Sequence, residues 1–226
     1  EIETEVVSLE RSAEDVAKDE ARKPDAVLDF MGVEPGDVIV EMEAGGGYFT
    51  EILSGAVGGD GVVYMQNPAA FDAMLGDMLA TRVEGRLTNV EVVKSNFDDL
   101  SAVADDSADY VTWFQGPHEL WYTPEGVDTL GDPVTSFAEI ARVLKPGGSF
   151  VVLDHTAPDG TPASSGGEVH RVDPAIIKDM AETAGLDLVE ESDLFDNPED
   201  DLTNNVFDEQ IRGKTDQFLL KFSKPE

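Results

Sequence analysis

Val38-Ile39-Val40-Glu41-Met42-Glu43-Ala44-Gly45-Gly46-Gly47-Tyr48-Phe49-Thr50 decides how the rest of the chain is read. A short apolar run ends on an acid, crosses three consecutive glycines, and enters a segment with Phe49, Ile52, Leu53, Ala56 and Val57 at helical spacing. Strand, glycine turn and helix start, in that order, make a site of the nucleotide-binding type. Glycine lets the backbone approach a ligand closely, and the free N–H groups of a helix start favour polar or anionic atoms. A tight strand-to-helix turn without a ligand gives the same local pattern, so the flanking chain has to decide.

Before the turn, Pro24 opens a helix carrying Val27, Leu28, Phe30 and Met31, which Gly32 stops. Residues 1–23 form an acidic extension, partly helical through Ala13, Val16, Ala17 and Ala21, and 24–226 are expected to be one domain. After the turn, strands are predicted at 62–65, 90–93, 110–114, 150–154, 186–190 and 217–222. Helices are predicted at 68–83, 134–144 and 174–184. The first of these is expected to bury Phe71, Met74, Leu75, Met78 and Leu79, its methionines serving as core filling. Gly-, Ser- and Pro-rich residues 157–169 suggest a mobile loop, and 196–214 a polar excursion. The alternation implies an α/β fold: a doubly wound, mostly parallel seven-stranded sheet with helices on both faces. The last two strands have no helical segment between them and are expected to be antiparallel neighbours.

Length and composition narrow the function. At 226 residues the chain suits one well-cored domain, and no run approaches the roughly 18 apolar residues of a membrane span. Acids outnumber bases 48 to 15, a net charge of −33, which repels phosphate backbones. Arg11, Lys18, Arg22 and Lys23 are interleaved with acids and form no basic patch, so neither nucleic acid nor membrane is expected as a partner. The acids are scattered, as suits general solvation or a salty environment. With no cysteine there is no disulfide, thiolate metal site or cysteine nucleophile. The chain starts at Glu1, which implies a trimmed segment; a cytoplasmic location is expected, with export the alternative if that segment was a signal peptide.

The element order resembles that of the class I S-adenosylmethionine-dependent methyltransferases, from Pro24 to Lys224. The glycine turn carries the resemblance together with Phe137-Ala138-Glu139-Ile140-Ala141-Arg142-Val143-Leu144-Lys145-Pro146-Gly147-Gly148, similar to the helix and turn before the family's fifth strand. Within the superfamily, residues 44–51, 170–173 and 211–216 resemble a group of predicted bacterial methyltransferases of uncertain substrate. The resemblance implies S-adenosylmethionine as cofactor and a small-molecule acceptor. It places Ala44, Gly45 and Gly47 against the methionyl part and Glu41 on the ammonium. Asn67, where the family usually has an acid, falls to the ribose, and Asn96 with Phe97 to the adenine. Glu43 stands where the motif normally has its first glycine, so it either crowds the cofactor, attracts its cationic centres, or points away. A fold of this type that has lost transfer activity and acts as a binding protein is the competing reading.

All three histidines map to the carboxyl edge of the sheet, where sites of such folds lie. His118 is favoured as a general base or acceptor-positioning group, with Glu119 to orient it, and His155 follows Asp154. Trp113, Trp121 and Tyr122 offer aromatic walls for an acceptor, and His170 and Arg171 complete the candidate substrate contacts. Backbone bonding by the histidines and surface pairing by the arginine are the bland alternatives. A metal site of the three histidines with a carboxylate matches no standard local spacing, so no metal is expected. No Gly-x-Ser-x-Gly elbow is present for a serine hydrolase.

Overall fold

The computed structural model describes residues 11–226; the expectations for residues 1–10 lie outside the described part. Seven strands form one sheet: β1 (Val38–Met42), β2 (Val62–Asn67), β3 (Val90–Lys94), β4 (Ala108–Phe114), β5 (Leu144–His155), β6 (Asp187–Ser192) and β7 (Gln217–Ser223). Their order is β3-β2-β1-β4-β5-β7-β6. The first five run parallel, while β7 is antiparallel to both β5 and β6. The final pair are therefore antiparallel neighbours as predicted, with β7 inserted and β6 left on the edge.

The described helices are α1 (Ala13–Val16), α2 (Asp19–Arg22), α3 (Pro24–Met31), α4 (Tyr48–Val57), α5 (Asp72–Leu75), α6 (Met78–Val83), α7 (Pro133–Val143), α8 (Ser165–Val169) and α9 (Pro174–Thr183). On one face Phe137 and Ile140 of α7 and Ile177 of α9 pack with Val40, Val111, Trp113 and Phe150. On the other, Val27 and Met31 of α3 and Phe49 and Leu53 of α4 pack with Ile39, Val151 and Leu219. Central β1 is thus apolar on both faces, as a covered parallel strand must be. No described helix is long and apolar enough to cross a membrane.

Two expectations are corrected. The helix predicted over 68–83 is broken: a 3-10 turn and α5 end at Gly76, whose φ of 51° a helix interior does not accept, before α6 begins. Of its five expected core residues only Leu75 is buried; Met74 is 70% and Met78 49% exposed. The apolar spacing is real, but α6 lies along the glycine turn, with Met78 Cε against Gly46. The segment expected to be a mobile loop is packed. A Cβ at Gly166 would lie 2.2 Å from the His118 carbonyl oxygen, and one at Gly167 2.3 Å from that of Trp121. Glycine is what allows α8 to touch the backbone of the Pro117–Trp121 turn.

Candidate functional site

Strand order reverses between β1 and β4, the place where open α/β sheets bind ligands beyond the carboxyl ends of their strands. A cleft of about 830 Å³ opens there, walled by residues 41–46, by Phe114 at the end of β4 and Gln115 after it, and by side chains of α1, α2, α4 and α6. That volume lies within the range of small-molecule sites. The turn forming its floor is braced by the end of β2. Gln66 Oε1 accepts from the Glu43 N–H at 2.9 Å, and the Gln66 carbonyl from the Ala44 N–H at 3.0 Å. Asn67 Oδ1 accepts from the Gly45 N–H at 2.8 Å while its Nδ2 donates to the Gly45 carbonyl at 3.2 Å.

Both signs of charge line the cleft. Arg82 pairs with Asp15 and Glu51, and Arg86 pairs with Glu51 at 2.7 Å. The Arg82 guanidinium also donates to the Gly46 carbonyl, lying over the turn. Arg22 differs: its guanidinium sits 4.6 Å from the Tyr48 ring centroid and has no ion-pair partner among the described residues, and burial lowers its pKa. Burial pushes the Glu41 carboxyl up to about 8, although the Thr50 hydroxyl donates to it. Glu43 is held well above the ordinary range by burial and by the nearby Glu119 carboxylate. A cation with no ion-pair partner among the described residues, in one cleft with two carboxyls that resist ionisation, suits a zwitterionic guest, whose positive end would draw those carboxyls back to the charged form.

A second cluster lies beyond β4 and β5. Asp154, fully buried, accepts from the His118 backbone N–H at 2.8 Å and lies 2.7 Å from His118 Nδ1. Burial opposes a charged His118, but Asp154 and Glu119 outweigh it and raise its pKa to about 10. Burial would raise Glu119, yet its contacts with His118 and His170 bring it down to about 2. His155, with Nδ1 2.7 Å from the Thr215 hydroxyl, is lowered to about 4 by burial and stays neutral. The His155 and His170 rings stand 5.8 and 5.3 Å from that of His118.

Residues 40–152, half of the chain, match the family model described as "Methyltransferase domain". The chain belongs to that family. This methyltransferase-family chain is 30% identical to the demethylmenaquinone methyltransferase of Bacillus mycoides over 129 residues, 57% of this chain and 49% of that protein. It therefore spans about half the length of the curated relatives it matches. A SAM-dependent methyltransferase from Aquifex aeolicus superposes with a TM-score of 0.63 at 20% identity, covering 91% of this chain and 97% of the other. The [4+2]-cyclase SpnF superposes at 0.64 and 16%, covering 91% and 80%. These two likenesses establish the class I methyltransferase fold. The family implies S-adenosylmethionine as cofactor.

In this methyltransferase-family chain the cleft gathers Glu41, Glu43, Ala44 and Gly45 from the sequence-predicted set. It does not gather Asn67, Asn96 or Phe97. Asn67 is committed to Gly45, the Asn96 amide donates weakly to the Thr129 carbonyl at 3.4 Å, and Phe97 is buried 4.8 Å from the Trp113 ring. Gly47, the cap of α4, faces Arg82 and Met65. Glu43 adopts a φ of 50°, the left-handed conformation for which glycine is the usual choice, and turns inward to Trp113.

The aromatic and basic candidates divide similarly. Trp113 is a fully buried core residue rather than an acceptor wall, whereas Trp121 and Tyr122 are half-buried, Tyr122 5.4 Å from the His170 ring. Arg171 is entirely buried, making a two-pronged pair with Asp200 at 3.0 Å and donating to the Thr156 and Asn204 carbonyls. With its donors occupied it anchors the 196–214 excursion and has nothing left for a substrate. Neither His118 nor His155 lines the cleft. Sequence reasoning missed Arg22, Met78 and Arg82 as cleft residues. The first carried a signal, an arginine just before the fold's first full helix, but its lack of a partner is a property of the folded chain.

Proposed function

We propose that this chain transfers a methyl group from S-adenosylmethionine to a small-molecule acceptor. One observation carries the proposal: at the strand-order reversal, the Arg22 guanidinium lines the same cleft as the carboxyls of Glu41 and Glu43. When bound, the cofactor supplies a sulfonium-activated methyl group. Arg22 would hold its carboxylate, Glu41 its ammonium, and Gly45 would let the backbone come close. Glu43, once ionised, would attract the sulfonium charge. Phe114 and Gln115, at the carboxyl end of β4, would border the acceptor and exclude water. A quinone-type ring, of the kind named for the relatives, is the first acceptor to assay. Calorimetry with S-adenosylmethionine tests the proposal: saturable binding supports it, and no binding at millimolar cofactor by folded protein sinks it.

A second reading, a methyltransferase-like binding protein without transfer, draws on Glu43 in the turn and on Met78 and Arg82 lying over Gly46 and Gly47. A sharp rise in cofactor affinity on Glu43→Gly substitution would favour it, by showing that the native glutamate obstructs the site.

A further inference from the structure

Outside the cleft, three side chains from two distant stretches aim one atom each at a common point. His118 Nε2 lies 3.3 Å from Glu119 Oε1 and 3.3 Å from His170 Nδ1, and His170 Nδ1 lies 3.1 Å from Glu119 Oε1. We propose that His118, Glu119 and His170 form a binding site for a divalent transition metal of the zinc class.

The spacing argues for it. Ligand atoms 2.0–2.1 Å from a tetrahedral ion stand about 3.3–3.4 Å apart, whereas neighbouring ligands of an octahedral ion at that distance stand about 2.9 Å apart. The observed triangle, 3.1 to 3.3 Å on a side, is close to the face of a tetrahedron. Two imidazole nitrogens and one carboxylate oxygen also form the donor set of borderline ions rather than of magnesium or calcium. Three protein ligands leave a fourth position for water or for an oxygen- or nitrogen-bearing molecule.

Two further observations point the same way. Behind His118, the Asp154 carboxylate lies 2.7 Å from Nδ1 and is itself fixed by the backbone N–H groups of His118 and His155. A carboxylate on the far nitrogen is how proteins orient a metal-binding histidine and raise its basicity. Glu119 Oε2 is buried and has no hydrogen-bond partner among the described residues, so this carboxylate is only partly engaged by its neighbours. Without an ion, His170 Nδ1 must serve two neighbours with a single lone pair or a single proton. The backbone is arranged for the purpose as well. His170 takes a φ of 58° as it leaves α8, and the contact of Gly166 with the His118 carbonyl brings that helix against the turn carrying the other two ligands.

The test uses the whole chain stripped with chelator, in excess Mg²⁺ to occupy its many surface carboxylates. Zn²⁺ affinity is measured by competition with a chromogenic chelator, and Co²⁺ replaces it as a spectroscopic probe. One equivalent per chain is expected, with the intense visible absorption of four-coordinate Co²⁺. Glu119→Gln and His170→Gln should each weaken Zn²⁺ binding at least tenfold, and Asp154→Asn about 10–100-fold. Less than stoichiometric uptake by the unaltered chain overturns the proposal. So does uptake unchanged in both glutamine variants, which would place the metal on other groups. No arm reads methyl transfer, so failure here leaves the proposed function standing.

Discussion

Trp113 Nε1 donates to Glu43 Oε2 at 3.0 Å, joining the glycine turn to an indole buried in the middle of the sheet. The bond explains how a glutamate persists in a left-handed conformation that costs about 1–2 kcal/mol. Its carboxyl replaces solvent for an otherwise unsatisfied N–H, and that bond favours the ionised carboxyl while burial opposes it. Burial wins for Glu43 and raises its pKa, and it does the same for Glu41.

The pH dependence of stability follows. Both folded pKa values are raised, so the stability these two carboxyls contribute is full below about pH 4.5 and is lost as pH rises, through about 8 for Glu41. Each group contributes a slope of at most about 1.4 kcal/mol per pH unit. Glu41→Gln should flatten the fall between pH 5 and 8, as urea unfolding at the two pH values would show; an unchanged slope would mean that Glu41 titrates normally.

Removing Arg22 should weaken the cofactor through its carboxylate alone. A charge-assisted contact is worth about 1.5–3 kcal/mol, so Arg22→Ala should weaken S-adenosylmethionine and S-adenosylhomocysteine roughly 10- to 100-fold. Methylthioadenosine, which lacks the carboxylate, should bind the two proteins alike. Equal losses for all three ligands would show that Arg22 supports the cleft rather than the ligand.

Arg171 and Asp200 make a buried ion pair, so taking either partner away strands the other charge. Arg171→Met should cost about 3–5 kcal/mol in denaturant unfolding, and a double Arg171→Met, Asp200→Leu variant should recover much of it. A small single-variant loss would place the side chain in solvent.

Two glycines predict opposite signs. Gly55 lies within α4 with open space where a Cβ would go, so Gly55→Ala should stabilise by about 0.5–1 kcal/mol. Gly166→Ala drives a methyl into the His118 carbonyl and should destabilise by about 1–3 kcal/mol. Thermal melts of the pair would show whether α8 is as tightly seated as its backbone contacts indicate.

Elements with one dominant local cause were legible in the sequence. Val38 to Val40, the glycine turn and the Phe49-to-Val57 stripe each obey one period, and their joint order carries the sheet. The 68–83 stretch misled because apolar spacing does not say what the apolar side faces, and Gly76 breaks the helix through a dihedral that the letter alone does not reveal. Arg171 looked like a ligand anchor because its partner, Asp200, lies 29 residues away in an excursion with no pattern of its own. The histidines were placed on the correct edge by topology. That His118, Glu119 and His170 converge on one point depends on a left-handed backbone at His170 and a glycine contact at Gly166, neither of which leaves a periodic trace.

The brace between β2 and the glycine turn has a thermodynamic consequence. Both functional groups of the Asn67 amide and the side-chain oxygen of Gln66 are engaged with the turn, so residues 43–45 have lost most of their backbone freedom before any guest arrives. Ordering a loop on binding costs about 1–2 kcal/mol per residue. Here folding has already met that cost, so affinity at this floor depends on the quality of its contacts and little on induced order.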